Sequence, residues 1–187
     1  MHFELNAIAR PTLLATLIAA SFGVTSAVAA DRVNLEKQNT AAGFAAAEVK
    51  AHDQIGVAAN DLQAEKSHKF ATGRTVTRHV QLHKGVPVWN EVVVEHRDQG
   101  AKTARMTGNL LRNLNNDLPS VVPSLTKADA LARAKALAGI ASTENDNAKL
   151  FVKQNANGVA HLVYLVSFNG VNTEAPTRPF YLMDANN

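Results

Sequence analysis

The sequence predicts an α+β protein of two small domains, each an antiparallel sheet with a packed helix. Three observations carry this reading. Val76, Val80 and Leu82 alternate with polar residues and run through Lys84-Gly85 into a second apolar strand. Leu131, Ala134, Leu137 and Ala138 recur at helical spacing behind Thr126, with Asp129 three residues on. Asn155-Ala156-Asn157-Gly158 sits between two apolar runs as a hairpin turn.

Residues 1–30 have the layout of a secretory signal peptide. Arg10 supplies the positive charge, Pro11 to Val24 the apolar stretch, and Ala27-Val28-Ala29 the small-residue cleavage site. Cleavage is expected after Ala29 or Ala30. The apolar stretch is short of the ~20 residues that span a bilayer as a helix, so no membrane association is expected once it is removed. The localisation this implies is secreted or periplasmic. Its removal takes away Arg10 and Glu4 together, so the net charge stays at +3. With no cysteine in the chain, disulfides, thiol nucleophiles and Cys-ligated zinc are excluded. Aromatic residues make up only 5%, which predicts a thin core and stability completed by a partner surface. Lys66, His68, Lys69 and Arg74 are the densest basic group, but they lack the clustered face with interleaved aromatics of a nucleic-acid binder.

Along the remaining chain, Asp31–Asn39 reads as an extended leader. Ala41–Lys50 and Asp61–Lys66 read as weak helices, completing a leader over 31–66. The first domain, 67–113, is a three-strand meander. Its strands are Val76–Leu82, Val88–Glu95 and Ala101–Met106, with the apolar parity of the first strand facing the core. Pro87 lacks an N–H and belongs at a strand's start or edge. Asn, Asp, Ser and Pro mark 114–123 as a linker. The second domain, 124–187, opens with the helix capped by Thr126 and closed by Gly139. A loop over Ser142–Asn147 and strands Leu150–Gln154, Val159–Phe168 and Phe180–Met183 follow.

Gly85-Val86-Pro87-Val88 and Gly108-Asn109-Leu110 resemble the fungalysin/thermolysin propeptide motif. Ala160 to Val166 with Tyr164, Arg178-Pro179-Phe180 and Asp184-Ala185 resemble a PepSY domain. In that order, behind a signal peptide, the chain resembles the pro-region of thermolysin-like secreted metallopeptidases of the vibriolysin and pseudolysin group. The family positions carried over are Gly85, Pro87, Val88, Gly108, Asn109, Tyr164, Pro179, Asp184 and Ala185. The resemblance implies a folding chaperone and inhibitor of a thermolysin-like catalytic domain, met in cis or in trans. No cofactor, no catalytic residue and no metal ligand of its own are implied. A free-standing trans-acting inhibitor and a periplasmic PepSY-type binding module are the alternatives. No H-E-x-x-H zinc-peptidase motif occurs in the 187 residues, and the sequence ends where the family continues into a further strand.

The other constellations read as structural. His79 and His83 lie ~13 Å apart along a strand at ~3.3 Å per residue, too far to share a metal. Glu91 and Glu95 have the same spacing and read as a solvated face rather than a hydrolytic pair. No G-x-S-x-G elbow is present. Trp89 falls opposite Val88, Val92 and Val94. If those valines face the core, it is exposed and is the candidate partner contact; core burial is the commoner fate of a tryptophan.

Overall fold

The computed structural model describes residues 29–38, 47–140, 142–171 and 175–187. The apolar N-terminal run, and residues 41–46 of the helix expected over 41–50, lie outside them. The first half contains β1 (Asp31–Asn34), α1 (Ala51–Ile55), β2 (Leu62–Lys69), β3 (Thr75–His83), β4 (Val86–Arg97) and β5 (Arg105–Arg112). The second contains α2 (Leu114–Asp117), α3 (Lys127–Ala138), β6 (Thr143–Gln154), β7 (Ala160–Val171), β8 (Pro176–Thr177) and β9 (Phe180–Asp184). The class is α+β, as expected. None of the described helices is long and apolar enough to cross a membrane.

β2, β3, β4 and β5 pair antiparallel in sequence order, and β1 adds to the far edge of β5. The β3–β4 turn is tight because Lys84 (φ 50°) and Gly85 (φ 83°) both take the left-handed conformation. That pair matches the twist of the flanking strands. β1 is therefore not a free leader. Asp31 opposes Arg112 and Asn34 opposes Asn109, while Val33 and Leu35 are buried. Residues 62–66, expected to be helical, form most of β2, because the edge of β3 offers hydrogen-bond partners from Leu62↔Gln81 to Lys69↔Thr75. Residues 47–50 of the helix expected over 41–50 are not helical, and a helix, α1, begins only at Ala51. Ala51 and Ile55, four apart on one face, bury against Val93, Met106 and Leu110.

In the second half, β7 lies between β6 and β9, all antiparallel, with β8 beside the end of β7. α3 is capped as its sequence predicts. Thr126 accepts from the Asp129 N–H, Asp129 accepts from the Thr126 N–H, and Gly139 closes the helix at φ 66°. Its buried face is Ala130 and Ala134 with Leu131 and Ala138 partly covered, whereas Leu137 is 68% exposed. Alanines let the helix lie close on Val152, Leu162, Tyr164, Val166 and Phe168. Burial of each large side chain there stabilises by about 1.5–3 kcal/mol. β6 begins at Thr143, taking in the expected loop through a bulge between Glu144 and Asn147. Residues 114–123, read as a linker, include α2, whose Leu114 joins Leu118 in the same core.

The two halves are joined through β4. Val88 pairs in parallel with Val152 of β6, so β4 belongs to both sheets.

Candidate docking face

The start of β4 is irregular. Val80 opposes Val92 and Leu82 opposes Pro87, so Val88 to Glu91 all lie opposite Gln81. Asn90 absorbs the extra length at φ 61°, an uncommon conformation for a residue other than glycine. The bulge resets the side-chain alternation: Val88, Glu91 and Val93 are all buried. Gln81, left without a single partner residue in β4, turns inward. Its side chain donates to the Leu111 carbonyl (2.6 Å) and accepts from the Leu111 N–H (2.8 Å), filling one rung of a ladder.

That rung belongs to a wider reversal. The buried parity of β3 is His79, Gln81 and His83, not the apolar Val76, Val80 and Leu82. His83 Nε2 lies 2.9 Å from the Leu118 carbonyl, and His79 Nε2 lies 3.0 Å from a Glu95 carboxylate oxygen. The histidines thus serve separate partners. Glu91 and Glu95 do not form a solvated face either. Glu91 is 5% exposed, with Arg32 Nε 3.1 Å away. Burial pushes its carboxyl above the ordinary range, with Arg32 opposing that shift. Glu95 is held below the ordinary range, first by its hydrogen bond with His79, against burial, and further by Arg97 at 2.6 Å.

The bulge carries Trp89 out of the first sheet and onto the side of the second sheet that faces away from α3. Its ring meets Phe151 edge-to-face at 5.0 Å. Trp89, Leu165, Phe180, Tyr181 and Leu182 line an apolar hollow of about 410 Å³. Phe180 is 60% exposed and Leu182 44%, while Trp89 is half-buried. On its other side Trp89 borders a groove of about 610 Å³ with Glu65, Arg78, Asn90 and Lys149 among its walls. Two cations lie over the aromatics of this face: Lys149 is 5.2 Å from the Phe151 ring centre and Arg178 5.3 Å from that of Phe180. The surface is an aromatic and aliphatic cluster carrying positive charge. Such a surface suits a partner that presents apolar side chains bordered by carboxylates.

Most of the residues singled out in the sequence support this face rather than line it. Gly85 makes the hairpin and Pro87 opens β4 beside it. Val88 is the parallel link to β6. Gly108 (φ 101°) has no room for a side chain, since an added Cβ would stand 2.0 Å from the Val92 carbonyl oxygen. The Asn109 side chain accepts from Asn34 at 3.3 Å. Tyr164 donates to the Leu125 carbonyl (3.1 Å), and burial raises its phenol. Ala185 donates to the Leu162 carbonyl (3.0 Å) and accepts from the Leu125 N–H (2.9 Å), so Tyr164 and Ala185 seat the segment leading into α3. Asp184 opposes Val163 and accepts from the Asn186 N–H at 2.7 Å. Pro179, half-buried, precedes exposed Phe180. Only Trp89 lies in the hollow itself. Sequence reasoning alone misses Phe151, Leu165, Phe180 and Leu182 as parts of this face. Their signal was the second apolar parity of strands whose first parity already formed a core.

The sequence is similar to known proteins over much of its length. Residues 60–110, from the turn before β2 to near the end of β5, match the Fungalysin/Thermolysin Propeptide Motif. The chain is 33% identical over 134 residues to the hemagglutinin/proteinase of Vibrio cholerae, covering 68% of this chain and 22% of that protein. It is 31% identical over 137 residues to the virulence metalloprotease of Vibrio anguillarum, covering 68% and 22%. It is 32% identical over 120 residues to the neutral protease of Vibrio proteolyticus, covering 60% and 19%. The chain therefore spans about a fifth of the length of these relatives, and the shared stretch is their propeptide rather than their catalytic region. The C-terminal domain of Bacillus megaterium YpeB overlaps it at a TM-score of 0.28 and 13% identity, covering 76% of this chain and 63% of that one.

Proposed function

For a chain of the thermolysin-like metallopeptidase pro-region type, we propose the role of folding chaperone and inhibitor of such a peptidase's catalytic domain. The observation that carries this reading is the sequence shared with three Vibrio metalloproteases around a propeptide motif. In this reading the chain is exported behind residues 1–30. It divides into a propeptide-motif unit over 67–113 and a PepSY-like unit over 124–187, which meet at the Val88–Val152 pair.

Secreted proteases are commonly stable for kinetic reasons, with a high barrier between unfolded and native states. A surface that binds the folding transition state lowers that barrier without any catalytic side chain. If the same surface also binds the native enzyme, mass action makes it an inhibitor. The Trp89 face supplies the means. Aromatic anchors at the centre of an interface give most of its binding energy, and Lys149 and Arg178 select a partner surface bearing carboxylates.

The test uses the folded catalytic domain of the Vibrio proteolyticus neutral protease. The chain is expected to inhibit it saturably and to shift the emission of Trp89, the one tryptophan present. Trp89→Ala and Leu182→Asp are expected to weaken inhibition at least tenfold with unchanged circular-dichroism melts. Absence of both inhibition and an emission change at large excess contradicts the function. Full inhibition by both variants keeps the function and discards the face.

A further inference from the structure

The structure assigns the processed N-terminus to Ala30, whose liberated amine is captured by Asp117 at the joint between the two sheets. The inference rests on the export reading above but concerns a different site. In the sequence, Ala27-Val28-Ala29 marks the bond after Ala29, and small Ala30 next to it leaves the bond after Ala30 as the neighbouring choice. The fold separates them. Ala30 is 5% exposed and packs with Val88, Leu111 and Leu118. Its nitrogen lies 3.0 Å from Asp117 Oδ2, 87 residues away, and its carbonyl accepts from Gln154 Nε2 at 2.6 Å. The same Asp117 oxygen accepts from the Ala160 N–H at 2.8 Å. Ala30 is thus the residue where the N-terminal segment is bound to α2, β6 and β7. Cleavage after Ala30 would remove it and leave Asp117 with Ala160 alone.

Hydrolysis of the Ala29–Ala30 peptide bond by a signal-processing peptidase consumes one water. It leaves a carboxylate on Ala29 and an ammonium on Ala30. The nitrogen already stands at hydrogen-bond distance from a carboxylate, so the neutral amide donor becomes a charged one without rearrangement. Ion-assisted hydrogen bonds are shorter and roughly twice as strong as neutral ones. Processing therefore strengthens the joint that holds the two sheets, and with it the bulge that presents Trp89. The unprocessed chain has only the neutral contact.

The first measurement is the intact mass of the exported chain, expected to begin at Ala30. The second compares denaturant midpoints of chains beginning at Ala30, at Ala29 and at Asp31, each with and without Asp117→Asn. The Ala30 chain is expected to have the highest midpoint, and Asp117→Asn is expected to abolish its advantage over the Ala29 chain. An exported chain beginning at Asp31, or an advantage that survives Asp117→Asn, overturns the capture and leaves the export reading intact. A chain that retains residues 1–29 after export conditions overturns the export reading itself.

Discussion

Beneath α3 the interior is Ala130, Ala134, Val152, Val166 and Phe168, all without exposure. Beneath β3 the inward side chains are His79, Gln81 and His83, with Glu91 from β4 close by in the fold's buried polar set. The first region is held by apolar area, which is large, non-directional and tolerant of repacking. The second is held by specific partners: a Leu111 peptide, a Leu118 carbonyl, a Glu95 carboxylate. Each such group costs free energy when its partner is removed. The difference teaches where register is fixed. The helix-backed sheet could tolerate small shifts of packing, but the motif sheet, which carries the bulge and Trp89, is pinned residue by residue.

Three substitutions sharpen this contrast, from the largest expected effect to the smallest, with Gly100→Ala as the control for the first. Gly108→Ala places a Cβ against the Val92 carbonyl in a left-handed conformation. It is expected to cost about 4 kcal/mol or more in urea unfolding. Gly100→Ala, at φ 73° but with open space around it, is expected to cost only about 1–2 kcal/mol. Phe168→Ala empties a fully buried site and should cost about 3–5 kcal/mol with the fold preserved. Gln81→Leu keeps volume but strips both partners from Leu111. Its expected cost is about 2 kcal/mol or more, since two peptide groups are left unsatisfied at about 1–3 kcal/mol each. The contrast fails if Gln81→Leu is neutral.

Acid provides the fourth probe. Glu95 sits below its ordinary value of 4.5, so the folded chain binds its proton less readily than the unfolded chain. The stability it contributes is present above that ordinary value and is lost as pH falls through the folded value. Glu91 sits above 4.5, and its contribution runs the other way: present at low pH, lost as pH rises through its folded value. Denaturant midpoints measured from neutral pH downward should therefore fall less steeply in Glu95→Gln and more steeply in Glu91→Gln. Equal slopes in all three chains contradict the assignment.

Much of this architecture is legible in the sequence alone. The Thr126–Asp129 capping box, Gly139, the Lys84-Gly85 hairpin and the Asn155–Gly158 turn depend on local chemistry, and each appears where its residues stand. Tertiary context decided the rest. Nothing in Val76-Thr77-Arg78-His79-Val80-Gln81-Leu82 indicates that its polar parity faces inward, because the groups that satisfy it belong to β4, β5 and the segment after α2. The bulge at Val88–Glu91 is equally silent. It lengthens a strand without a glycine, and it inverts the alternation on which the reading of Trp89 and Glu91 depended. The polar run at 62–69 became a strand only because β3 offered it an edge.

The measurement that bears most directly on the account is a refolding titration. Denatured catalytic domain of the Vibrio proteolyticus neutral protease is returned to native conditions with increasing amounts of this chain, and recovered peptidase activity is followed. The account predicts recovery that rises with the chain and then falls as excess chain binds the folded enzyme. A flat response from a folded chain, across the Vibrio cholerae and Vibrio anguillarum enzymes as well, would contradict it.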